Sequence, residues 1–219
     1  MAFLQEKDKE YIQKLFSDLQ GNVRLINFSQ EIECQYCPET RQILEELVEL
    51  SDKLSLELYN FMTNKDVAEK YHVDKVPATI IAGDNDYGIR YYGIPSGYEF
   101  STVLEDIVDV SKRDSGLSSE SRELLKQIDA PLRLQVFVTP TCPYCPKAVH
   151  LAHRIAIENP FVTADMVEAT EFPELSMRYN VRGVPRTMIG DDYHIEGALP
   201  ENAYIKQIVD YFQALKQKQ

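Results

Sequence analysis

Cysteine is scarce in this chain of 219 residues: Cys34, Cys37, Cys142 and Cys145 are its four, and all fall in two CxxC pairs. None is left to build an ordinary structural framework, and a CxxC bridge closes a loop too short to stabilise a fold much through chain entropy. Long apolar runs are missing as well. No stretch approaches the ~20 apolar residues of a membrane span, and the opening MAFLQEKDKEYIQKLF meets acids and lysines from Glu6 onward, without the apolar core of a secretory leader. Clustered positive charge is the third absence. With 23 Lys and Arg against 35 Asp and Glu, the formal net charge is −12, the wrong sign for a surface that tracks phosphate. These absences leave the expectation of a soluble, cytoplasmic protein with neither membrane nor nucleic acid as partner, its acidity serving solubility.

What is present repeats. At 44% hydrophobic residues the chain can bury one large core or two small ones of about 100–110 residues each, and two domains are the better fit. A shift of 108 residues lays Cys34, Tyr36, Cys37 and Pro38 on Cys142, Tyr144, Cys145 and Pro146. The same shift lays YHVDKVPATII (71–81) on YNVRGVPRTMI (179–189) without a gap. Two tandem units of one fold explain this, with the boundary in the polar KRDSGLSSES stretch: residues 1–115 form the first unit and 116–219 the second. Periodicity in the first predicts a helix over 5–19, a strand VRLINFS, a helix from Cys34 to about Leu50 and a strand LELYNF. A short helix over 65–71, strands at ATIIA and YGIRYYG and a helix over 97–112 follow. The second unit repeats this order with RLQVFV, the Cys142 helix, FVTADMVE, PELSMRYN, RTMIG, YHIEG and a helix over 200–216, so the fold class is α/β.

A CxxC where a strand turns into a helix has a chemical purpose. Free N–H groups and the macrodipole at the helix N-terminus favour thiolate over thiol at the first cysteine. The second, one turn on, is close enough to attack a mixed disulfide, so the first sulfur serves as nucleophile and the second resolves the intermediate. Pro38 and Pro146 lie where a missing N–H costs little. Val76-Pro77 and Val184-Pro185 stand at equal distance from their pairs, each proline 43 residues after the first cysteine.

CxxC on a strand-to-helix turn with a later Val-Pro before a strand resembles the thioredoxin fold. Two such units, with CQYC in one and CPYC in the other, resemble the glutaredoxin-like protein disulfide oxidoreductases of thermophilic archaea and bacteria, relatives of protein disulfide isomerase. The high content of charged residues suits such a source. The resemblance implies a central mixed sheet flanked by helices in each unit, Cys34 and Cys142 as nucleophiles, Cys37 and Cys145 as resolving thiols, and Pro77 and Pro185 as cis-prolines that dock substrate beside Val76 and Val184. It also implies protein disulfides as substrates, a flavin-dependent thioredoxin-reductase-like partner, and no bound metal or organic cofactor. Reduction, oxidation and isomerisation all remain open, since reduction potentials decide among them. Tyr36 and Tyr144 either pack over substrate or fill the motif's surface.

The pattern departs from the family in one place. The buried acid that many relatives carry six residues before the first cysteine is replaced by Phe28 and Val136. Glu168, at the end of a strand that runs toward the active-site edge, is the candidate substitute, although an exposed strand-end Glu is an equal alternative; its repeat partner is Asn60. Glu31 and Glu33 flank Cys34 and should raise its thiol pKa, whereas Lys147 follows the second pair, which makes Cys142–Cys145 the expected more reactive site. Three rivals stand beside this reading: a Cys₄ zinc site, disfavoured by the 108-residue separation of the pairs; a peptide-binding adaptor; and an electron carrier dedicated to a peroxiredoxin-type enzyme. His150 and His153, three residues apart, read as surface or packed residues rather than ligands.

Overall fold

Residues 3–217 are described by the computed structural model. The first unit runs α1 (Glu6–Phe16), β1 (Val23–Ser29), α2 (Cys37–Val48), β2 (Leu54–Asn60), α3 (Lys65–Lys70), β3 (Ala78–Ala82), β4 (Asp86–Tyr92) and α4 (Glu99–Lys112). The second runs α5 (Ser119–Leu125), β5 (Leu132–Val138), α6 (Cys145–Glu158), β6 (Val162–Glu168), α7 (Pro173–Arg178), β7 (Arg186–Ile189), β8 (Tyr193–Glu196) and α8 (Glu201–Lys216). The element order follows the sequence reading throughout, and the strands VRLINFS and ATIIA coincide with β1 and β3.

The two expected sheets are one. Its order is β2-β1-β3-β4-β6-β5-β7-β8, so each unit contributes four strands in the same internal order. The seam is a parallel pair, β4 with β6, in the register Ile89↔Ala164 to Tyr92↔Val167. The central strands β1 and β5 are buried along nearly their whole length, polar Asn27 and Gln135 included, as expected of strands covered on both faces. One face carries the larger core, where Leu44 and Leu47 of α2, Ile107 of α4, Val149 of α6 and Ile205 of α8 meet. The opposite face is covered by α3 and α7 through Ala68, Tyr71, Leu175 and Tyr179.

Polar groups cross the seam on both faces. Under the α4–α6 contact, Asp106 accepts the Tyr91 hydroxyl and stands 2.5 Å from His153 Nδ1, all three residues being fully buried. His153 is thus a packed residue, and half-buried His150 pairs with Asp109 at 2.9 Å. On the other face Arg133 Nε donates to Asp165 at 2.6 Å and its guanidinium reaches Asp74 of the first unit at 3.1 Å. The connection between units is pinned too. Arg113 closes α4 in the left-handed region, φ 57°, and Ser118 caps α5 by accepting the Ser121 N–H at 3.2 Å. Between them buried Ser115 accepts Arg154 Nε at 2.5 Å through its carbonyl.

Arg133→Ala strips its partner from Asp165, which is 2% exposed. The expected loss in urea unfolding is about 2–3 kcal/mol, below what a fully buried pair would cost because Arg133 is itself 39% exposed. An unchanged midpoint would show that the charges do not hold the seam.

Candidate functional site

Each redox turn begins where a central strand ends. After β1 the chain passes through Gln30–Tyr36 and enters α2 at Cys37; after β5 it passes through Thr139–Tyr144 and enters α6 at Cys145. The helix expected from Cys34 therefore starts three residues later, and the first cysteine of each pair sits in the turn ahead of it. The Cys142 N–H donates to Thr139 O at 3.0 Å and the Cys145 N–H to Cys142 O at 3.4 Å, a turn rather than a helical pattern. Pro38 and Pro146 occupy the second helical position, where the lost donor has no partner to forfeit. Both pairs are bridged, Cys34 to Cys37 and Cys142 to Cys145, with Cα atoms 5.5 Å apart in each.

The bridges differ in exposure. Cys34 is half-exposed and Cys37 is 3% exposed, whereas Cys142 and Cys145 are 7% and 0%. Both sites open on the same sheet edge, because β1, β4, β6 and β5 run parallel to one another. They stand four strand spacings apart, about 19 Å, too far for the four sulfurs to share one tetrahedral ion. Among the described residues no group of three or more His, Cys, Asp or Glu is arranged to hold a metal.

The Val76-Pro77 and Val184-Pro185 bonds are both cis. The prolines are buried, the valines half-buried, and each proline carbonyl accepts a glycine N–H, Gly93 at 3.0 Å and Gly197 at 2.9 Å. Cys34, Tyr36, Val76 and Pro77 line one cleft of about 600 Å³ together with Glu31 and Glu33. Its far wall, Thr170, Glu171 and Pro173, belongs to the second unit. Tyr144, by contrast, is 69% exposed beside the second pair.

Glu168 ends β6 opposite Val138 and is buried, not the exposed strand-end residue of the alternative reading. Its Oε2 accepts the Thr170 hydroxyl at 2.6 Å and the Glu171 N–H at 2.7 Å, while Oε1 has no partner. Gly93 makes room for it: the backbone there has φ +97°, and a Cβ would lie 2.6 Å from the Glu168 Cβ.

Two further acids escape a reading of the sequence. Glu171 is raised to about 7 by burial, against the lowering effect of the Ile94 N–H, with the negative charges of Glu168 and Glu39 adding to the rise. Glu99 opens α4 one residue after Tyr98, whose N–H donates at 3.1 Å to the carbonyl of Pro140, two residues ahead of Cys142. Burial pushes the Glu99 carboxyl to about 8, offset in part by the Thr102 hydroxyl and reinforced by Asp106. In sequence Glu99 is an ordinary first-turn acid; in the fold it is buried, on a helix that packs along α6.

The thioredoxin domain, as a family profile, matches residues 26–105 and again 132–210. The structure superposes on a protein disulfide oxidoreductase from Aeropyrum pernix K1 with a TM-score of 0.90 and 27% identity, covering 98% of this chain and 96% of that one. It superposes on the NTD_N/C domain of the alkyl hydroperoxide reductase AhpF from Enterococcus faecalis with a TM-score of 0.87 and 26% identity, over 94% of this chain and all of that one. Among curated sequences, the AhpF protein of the alkyl hydroperoxide reductase of Staphylococcus aureus Mu50 is 24% identical over 84% of this chain. The chain spans about a third, 33%, of that relative's length. Among the described residues no helix is long and apolar enough to cross a membrane.

Because the folded pKa of Glu99 lies above its unfolded value of 4.5, its contribution to stability is full below that value and is lost as pH rises to about 8. At about 1.4 kcal/mol per pK unit, wild type should lose a few kcal/mol relative to Glu99→Gln between pH 5 and 9 in urea unfolding. Parallel stability curves would show that Glu99 does not hold this proton.

Proposed function

The chain belongs to the thioredoxin-domain family, and from that premise we propose a protein dithiol–disulfide oxidoreductase that reduces, oxidises or rearranges protein disulfides at two sites. One observation carries the reading: each CxxC pair lies at the end of a buried central strand, its second cysteine opens a helix, and a cis-proline precedes the neighbouring strand. Thiol–disulfide exchange is what such a pair does. Cys34 or Cys142 attacks a substrate disulfide as thiolate, favoured by the N–H groups at the start of α2 or α6. Cys37 or Cys145, held at the first helical position, then attacks the mixed disulfide and releases substrate as a dithiol. Substrate backbone docks against Val76-Pro77 or Val184-Pro185, with Tyr36 and Tyr144 as apolar flanks.

Glu168 is assigned as proton acceptor, on the strength of its burial and its unpartnered Oε1. The cysteine pairs carry the two electrons themselves, so the reaction needs neither metal nor organic cofactor. A flavin-dependent, thioredoxin-reductase-like enzyme would restore the dithiol or drain it, in a cytoplasmic setting. The second pair is the more reactive, since Lys147 follows it while Glu31 and Glu33 flank Cys34. A second reading, electron delivery to a peroxide-reducing enzyme, is favoured by the likeness to the AhpF proteins of alkyl hydroperoxide reductases.

The test is dithiothreitol-driven reduction of insulin by chelator-treated wild type, Cys34→Ser and Cys142→Ser, run beside peroxide consumption coupled to a peroxiredoxin. Catalysis of insulin reduction that is largely lost in Cys142→Ser and mostly kept in Cys34→Ser is the expected result. Equal losses would overturn the ranking of the sites, and peroxide turnover without insulin reduction would favour the carrier.

A further inference from the structure

The cleft around Cys34 is completed by a carboxyl from the other unit. Glu171 lies between β6 and α7, and two contacts fix it there: its Oε1 accepts the Ile94 N–H of the first unit at 2.6 Å, and its own N–H is held by Glu168 at 2.7 Å. No donor among the described residues engages Oε2, and the residue forms part of the wall of the cleft that holds Cys34 and Pro77. Gly93 is required here a second time, because a Cβ at that position would come within 2.8 Å of Glu171 Oε1.

We propose that Glu171 is the general acid–base of the Cys34–Cys37 site, acting on substrate sulfur in the cleft. The proposal rests on the exchange reading of that site. In the reducing direction the Cys34 thiolate forms a bond to one substrate sulfur and the substrate S–S bond breaks. Its electron pair leaves on the second substrate sulfur, which takes the Glu171 carboxyl proton and departs as thiol, and solvent reprotonates Glu171 through the open cleft. In the oxidising direction the Glu171 carboxylate takes the proton from an incoming substrate thiol.

A carboxyl that titrates at about 7 can give and take a proton at neutral pH, where an ordinary one is spent. Other charged and titratable groups face it. Glu168 and Glu39 lie within its field, and Glu31, Glu33 and Tyr36 line the same cleft. Lys75, Glu174 and Arg178 share a neighbouring depression on the α7 side. Its place in the wall of the Cys34 cleft sets Glu171 apart from these: Glu168 is buried and does not line that cleft, and Glu31 and Glu33 are exposed.

The experiment uses the full chain with the second site silenced, Cys142→Ser/Cys145→Ser, and follows single-turnover attack of reduced Cys34 on two disulfides. Oxidised glutathione releases a basic alkyl thiolate that needs a proton, whereas an aromatic nitrobenzoate disulfide releases a stable thiolate that does not. Adding Glu171→Gln keeps an acceptor for the Ile94 N–H. It should slow the glutathione reaction on the order of 10²-fold and leave the aromatic reaction unchanged. Equal slowing of both, or of neither, would overturn the assignment. If the parent protein attacks neither disulfide, the exchange reading of the first site fails, and the role of Glu171 with it.

Discussion

The parallel pairing of β4 with β6 is the constraint on which the rest depends. Each unit alone would be a four-stranded sheet with an exposed edge, and joining the two edges removes both from solvent. Because the joint is parallel, the strands that lead into the redox turns point the same way, and both disulfides emerge on one edge and one face. An antiparallel joint would have placed them at opposite ends of the molecule. The same joint lays α4 along α6, where it buries Asp106, Tyr91 and His153, and brings Arg133 within reach of Asp74 on the far face.

From this follows an exchange of side chains between repeats. The acid beside the Cys34 cleft, Glu171, comes from the second unit, and Glu99, at the start of the helix pinned to the Pro140 turn, comes from the first. Neither position is the one six residues before the cysteine, where Phe28 and Val136 pack into the two cores. Gly93, at the end of β4, is where the exchange is tightest: Glu168 and Glu171 both press against a backbone that only glycine leaves open. The units are similar in fold and unequal in site. One disulfide lies in an open cleft lined with acids, and the other is nearly closed off beside an exposed tyrosine.

Whatever depends on local spacing is legible in the sequence. Strands such as VRLINFS, the paired CxxC turns and the two Val-Pro steps are local signals, and duplication doubles each of them. Spacing alone sets the start of α2 three residues too early, because a proline allows a helix to begin ahead of it, and only the hydrogen-bonding pattern shows that Cys34 lies outside. Glu168 can be picked out from its place at a strand end, but its burial cannot, since that depends on Gly93 in the other unit. Glu99 and Glu171 stay hidden for the same reason. A carboxyl's surroundings are set by packing between units, and no period or motif within either repeat encodes which strand edges meet.

Under the proposed function the two pairs act by nucleophilic exchange with a fixed division of roles. The measurement that tests it most directly is mass-spectrometric mapping of mixed disulfides after Cys37→Ser/Cys145→Ser protein, which cannot resolve them, meets a disulfide-bonded substrate. Adducts on Cys34 and Cys142, with none on the Cys37 and Cys145 that remain in the converse Cys34→Ser/Cys142→Ser protein, are the predicted result. Their absence, with the protein folded and both thiols free, would contradict the account.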